Sequence, residues 1–150
     1  GGFHGDNAFT FPCGKISADA QALLDATKES LYEGIKQALA FNRVGDIGNA
    51  VQKYVEARSY SVVRDFVGHG VGAKLHEDPS VPNYGTAHRG VRLIPGMTIA
   101  IEPMVNQGRC NVRVLDDKWT TVTADGKLSG HCEDTVSITP DGPKIMTVCD

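Results

Sequence analysis

No run of apolar residues in this 150-residue chain approaches the roughly 20 that a membrane-spanning helix needs. No Lys/Arg-rich tract is present and the formal net charge is −3, so nucleic acid is not the expected partner. The first residues lack the basic and apolar regions of a secretory leader. The cysteines, Cys13, Cys110, Cys132 and Cys149, include no C-x-x-C pair, which argues against a zinc ribbon. Without an export signal they read as reduced thiols in a cytoplasmic protein. Repeats, low-complexity tracts and a clear interdomain linker are also missing. One domain spanning residues 1–150 is the expectation, since a chain of this length buries roughly 68–70% of its unfolded surface.

What is present patterns as a mixture of helix and short strands. Ser17 reads as an N-cap, and behind it Leu24, Thr27, Leu31, Ile35, Ala38 and Leu39 recur at helical spacing. Asp46 is expected to cap a second helix, with Ile47, Ala50, Val51, Tyr54 and Val55 on one face. "YSVVRDFV" reads as a strand running into glycines, and a polar loop with Pro79 and Pro82 follows. "IPG" at Ile94–Gly96 suits a type II turn. "MTIAIEPMV" is strand-like until Pro103, a strand carrying Trp119 is expected between "NQG" and "ADG", and "HCEDTVSIT" closes the pattern. Two helices with five or six strands predict an α+β domain dominated by antiparallel hairpins. The opening "GGFHGDNAFTF" resembles the middle of a hairpin, so an upstream segment is expected before Gly1.

Side-chain alternation then isolates the chemistry. In the last strand Val136 and Ile138 share a core face, while His131, Glu133, Thr135 and Ser137 share the opposite one. Ile99 and Ile101 lie on one face of their strand, and Thr98, Ala100 and Glu102 on the other. A buried carboxylate is costly unless it is paired or bound to metal. His69, in "GHG", and Asp6, in "HGD", complete a set of one imidazole and three carboxylates near strand ends. Such a donor set suits Mn, Fe, Co or Zn. A salt-bridged or exposed Glu and a loop His bonded to backbone remain the alternatives for each residue taken singly. A phosphate loop does not fit: in "GHGVGAKL" Lys74 is followed by Leu75, where that motif requires Ser or Thr.

"GGFHGD", "GHGVGAKLHEDP", "PGMTIAIEPMV" and "WTTVTADGKLSGHCEDTVSIT" together resemble the type I methionine aminopeptidases, in order and spacing, along essentially the whole chain. The resemblance implies an incomplete pita-bread metallohydrolase fold, with two helices against a curved, mostly antiparallel sheet. It implies Asp6, His69, Glu102 and Glu133 as ligands of two divalent ions, with Glu102 also relaying the proton of the attacking water. It implies His76 as a donor to the scissile amide or its tetrahedral intermediate. Leu75 stands where the family usually has Phe in the methionine pocket, and Trp119 matches a pocket-lining Trp, with core packing as the alternative. His4 and His88 match no family role and read as loop histidines. His131 and Cys132 replace a Gln-aromatic pair. His131 could be an extra ligand or a partner of Glu102, and Cys132 reads as packing.

The family's fifth ligand, an Asp upstream of the Asp6 position, falls before Gly1, so the match is to roughly the C-terminal three fifths of the enzyme. One of the two ions is then expected to bind weakly. The implied activity is removal of the initiator Met from nascent peptides near the ribosome. A catalytically deficient remnant or binding module is the first alternative, paired with a separate N-terminal half or with itself. A proline-specific aminopeptidase or prolidase relative is the second.

Overall fold

A computed structural model describes residues 1–148, so Cys149 lies outside the described residues. Strand β1 (Asn7–Phe9) is followed by helices α1 (Ala18–Ile35) and α2 (Val44–Glu56). The strands after them are β2 (Ser61–Val62), β3 (Gly68–Gly70), β4 (Glu77–Val81), β5 (Thr98–Ile101), β6 (Met104–Asn106), β7 (Val112–Val114), β8 (Thr121–Thr123), β9 (Ser129–Thr139) and β10 (Gly142–Ile145). Eight strands form one antiparallel sheet with the path β2-β6-β9-β5-β3-β4, to which β1 and β10 add through β9. β7 and β8 form a separate hairpin. The described residues thus contain ten strands where five or six were expected.

α1 starts where the sequence indicates, with the Ser17 hydroxyl accepting from the Ala20 N–H at 3.2 Å. Its buried stripe is Leu23, Ala26, Thr27, Leu31 and Ile35, which leaves Leu24 half-buried at the margin. The helix ends before Ala38 and Leu39, because Gln37 and Ala38 turn back onto the carbonyls of Gly34 and Ile35. Ala38 is still buried, whereas Leu39 is exposed. The stripe packs on α2 and on the core face of β9, where Cys132, Val136 and Ile138 meet Ile99 and Ile101 of β5.

Asp46 is not the first cap of α2. The helix begins at Val44, and Asp46 reaches back from its third position to accept the Arg43 N–H at 2.8 Å. Its other oxygen accepts the His88 N–H at 2.8 Å, tying the loop before β5 to the helix start. Asp46→Ala therefore orphans two backbone donors beside a buried side chain. A loss of about 2–3 kcal/mol is expected in urea unfolding. A loss below about 0.5 kcal/mol, the size of an ordinary surface change, would remove Asp46 from this role.

Three other expectations are corrected. Of the strand expected over residues 60–67, only Ser61–Val62 forms, paired with β6. The expected polar loop contains β4, which tolerates Pro79 because it lies at the sheet edge. Trp119 is not on a strand: it sits in the β7–β8 turn, 87% exposed. The Ile94 turn forms as expected, closed by the Met97 N–H on Ile94 O at 3.1 Å with Gly96 at φ +96°.

Candidate metal centre

His69 occupies the middle of β3, wedged between β4 and β5. The glycines on either side make that wedge feasible. A Cβ on Gly68 would lie 2.3 Å from Ala100 O, and one on Gly70 would lie 2.2 Å from Asp78 O. His69 Nδ1 is 2.9 Å from Gly70 O. A carbonyl only accepts, so Nδ1 carries the proton and Nε2 presents its lone pair. That Nε2 lies 3.6 Å from Glu102 Oε1 and 3.8 Å from Asp6 Oδ2.

The carboxylates arrive from different strands. Asp6 precedes β1, and the Thr135 hydroxyl pins it by accepting its N–H and donating to its C=O, both at 2.8 Å. Asn7 fixes the neighbouring register, donating to Glu133 O at 2.9 Å and to Asp134 Oδ1 at 2.8 Å. Glu102 follows β5 directly. Glu133 lies on β9 and is 5% exposed. Ligand atoms of His69, Glu102 and Glu133 lie within 4.8 Å of one another, as do those of Asp6, His69 and His76. The two groups share His69.

Three carboxylates gathered this closely need positive charge. Among the described residues no Lys or Arg forms an ion pair with any of them. The shortfall shows in Glu102, whose pKa is raised from 4.5 to about 7 by burial and then by the charges of Glu133 and Asp6, against an opposing effect of His131. Glu133 Oε1 is buried with no hydrogen-bond partner. An orphaned carboxylate oxygen beside an imidazole lone pair fits a divalent cation. The imidazole of His131 is also in reach, its Nε2 3.6 Å from Glu133 Oε2. Burial pulls the His131 pKa down, but its bonds to Glu133 and to Pro103 O, with the charge of Glu133 and Glu102, hold it above its usual value. The carboxylate within pairing distance of His131 is thus that of Glu133, while Glu102, the partner considered from the sequence, acts on it through its charge.

His76 stands beside His69, ring centroids 4.3 Å apart. Both face a cavity of about 690 Å³ that Glu102 and His131 also line. Apolar side chains form much of its wall, including Phe66, Val67, Met104 and Leu128. These were not picked out from the sequence, because they come from separate segments with no common spacing. Leu75 and Trp119 were expected here, yet neither lines the cavity: Leu75 is exposed beside His76, and Trp119 lies at the hairpin tip. His4 bonds Gly72 O, and His88 pairs with Asp46. Cys132 packs in the core on the opposite face of β9.

Comparison with known proteins gives a consistent picture. The sequence profile described as metallopeptidase family M24 matches residues 1–140. A methionine aminopeptidase of Clostridium perfringens is 58% identical over 147 residues, covering 98% of this chain and 59% of that protein. Methionine aminopeptidase 1 of Bacillus subtilis is 53% identical, covering 97% of this chain and 59% of the relative. The chain thus spans about three fifths of the curated relatives it matches. The solved methionine aminopeptidase of Thermotoga maritima superposes with a TM-score of 0.95 at 46% identity, over 97% of this chain and 59% of that one. A prolidase from Pyrococcus furiosus, at 21% identity and a TM-score of 0.74, shares the fold, over 99% of this chain and 38% of its own.

Proposed function

The chain belongs to metallopeptidase family M24 and has its pita-bread fold, and from that premise we propose that it forms the metal-binding part of a methionine aminopeptidase. The observation that carries this reading is the convergence of Asp6, His69, Glu102 and Glu133, which come from far-apart points of the chain to two ligand groups sharing His69. These four residues would hold divalent ions, drawn from Co, Mn, Fe and Zn. When bound, such ions supply Lewis acidity and a nucleophile at neutral pH. Glu102, whose Oε1 lies 3.6 Å from His69 Nε2, would take the proton of the attacking water and pass it on. His76, exposed at the cavity beside His69, would donate to the oxygen of a polarised substrate amide. The apolar wall of Phe66, Val67, Met104 and Leu128 suits an unbranched thioether side chain. The substrate class is a peptide with N-terminal Met, as on a nascent chain.

The test measures metal binding and turnover together. Calorimetric titration with Co²⁺ or Mn²⁺ at pH 8 should show binding that His69→Ala removes. Metal-loaded protein completed with the N-terminal part of a methionine aminopeptidase relative, since the chain spans 59% of such relatives, should hydrolyse Met-Ala-Ser, stop with chelator, and lose on the order of 10²–10³ in kcat with His76→Ala. Turnover of X-Pro dipeptides in place of Met-Ala-Ser would replace this reading by the proline-specific one. Metal binding with neither turnover would leave a binding module.

A further inference from the structure

Asn83 is 1% exposed, yet only half of its amide is used. Its Nδ2 donates to the Glu102 carbonyl at 3.1 Å, and its Oδ1 is buried without a partner. The amide orientation follows from the bond, since a carbonyl demands a donor. A buried polar group left half-satisfied is costly, and a side chain of similar size without polar atoms would avoid that cost. The position therefore holds an amide for a reason other than core packing.

Its surroundings supply one. Glu102 comes just after β5 and is followed by Pro103, which has no N–H, so the sheet ladder breaks where the carboxylate must be aimed. The corner is held instead by bonds to its two successive carbonyls. Asn83 takes Glu102 O, while His131 Nδ1 and the Cys132 N–H take Pro103 O, each at 3.3 Å. The loop that carries Asn83 is itself fastened to α2. Asn49 donates to Gly85 O at 2.9 Å, and the Gly85 N–H donates to Gln52 Oε1 at 2.9 Å. Pro82 O and Tyr84 O lie so close to Gly48 that a Cβ there would meet them at 2.4 and 2.5 Å.

We infer that Asn83 is a positioning residue, braced by α2, that fixes the backbone of Glu102 and so sets the aim of its carboxylate at the metal centre. The inference rests on the proposed metal centre, and acts through Glu102 without contact to ion or substrate. Groups that orient a ligating side chain are typically worth 10–100-fold in metal affinity.

The test compares Co²⁺ affinity by calorimetry at pH 8, and the Co²⁺ visible spectrum, in the parent, Asn83→Asp and Asn83→His. Asp is isosteric but cannot donate when ionised. Its added negative charge would by itself tighten cation binding, so a fall in affinity reports lost aim. His keeps an N–H at the same distance from the backbone as Asn Nδ2. The expected result is a 10–100-fold loss with an altered spectrum for Asp, and recovery towards the parent for His. Should the Asp variant not fold, Asn83→Leu is judged by the same loss. Parent-like affinity and spectrum in the folded variant, beside a parent that binds Co²⁺, overturns the inference and leaves the metal centre standing. A parent that binds no Co²⁺ removes both.

Discussion

Glu102→Gln should make the metal-free chain more stable at pH 8 while stripping it of tight metal binding. The sign follows from where the proton sits. Unfolded, Glu102 releases its proton near pH 4.5; folded, it keeps it to about pH 7. Between those values the folded state binds more protons, so raising the pH favours unfolding. The stability that the protonated group contributes is complete below pH 4.5 and gone above about pH 7. At 1.36 kcal/mol per unit the full loss is about 3 kcal/mol. The raised pKa of His131 acts in the same direction, since stability it lends at low pH is also lost as pH rises.

Gln cannot ionise, so the variant escapes the Glu102 contribution and keeps only the part of the His131 contribution that comes from Glu133 and Pro103 O. Urea unfolding of parent and variant at pH 5.5 and pH 8, without metal, isolates the difference. At pH 5.5, already above the unfolded value of 4.5, the variant should lead by about 1 kcal/mol, and at pH 8 by about 3 kcal/mol. Adding Mn²⁺ should reverse the order, because an ion that binds the folded state stabilises it by mass action and the variant has lost a charged ligand. A variant no more stable at pH 8 than the parent would mean that Glu102 is not under the charge strain its surroundings indicate. The prediction expresses a common trade: a site assembled for a cation is strained without one.

How much of this was legible depended on whether the signal was local. α1 could be read because Ser17 and an apolar stripe at helical spacing lie in one segment. The two faces of β9 could be read because strict alternation places Val136 and Ile138 opposite Glu133 and Thr135. β3 could not. Gly-His-Gly has no strand propensity of its own, and it becomes a strand only because β4 and β5 pair with it from either side. Trp119 misled for the converse reason. Its strand propensity is overridden by Asp117, whose carboxylate accepts the Trp119 and Thr120 N–H groups at 3.0 and 2.9 Å and folds the segment into a turn. At the site, alternation gave Glu102 and Glu133 a polar face, but their meeting with Asp6 and His69 came from resemblance to a family. Asn83 was invisible, because its importance is a bond to a backbone carbonyl 19 residues away.

Gly68→Ala and Gly70→Ala should each destabilise the chain severely, through contact alone. Neither glycine has the positive φ that would strain a side chain by itself. What each lacks is space. The register shifts between Gly68 and Gly70, so β3 bulges against β4 and also closes on β5. The atoms that a new methyl would meet, Ala100 O and Asp78 O at 2.3 and 2.2 Å, are backbone oxygens. They cannot rotate away like a side chain, so relief requires β3 to part from a neighbouring strand. That places the cost at or above the upper end of overpacking, about 3 kcal/mol or more. Gly5→Ala is the matched control, since its nearest neighbour would be Thr147 Cγ2 at 3.9 Å, and it should stay within about 0.5 kcal/mol of the parent. Because His69 rides on the displaced strand, metal affinity should fall with stability in both β3 variants and be unchanged in the control. Unfolding midpoints for Gly68→Ala or Gly70→Ala that match Gly5→Ala would show that β3 is not wedged as described, and that the glycines beside His69 serve some other end.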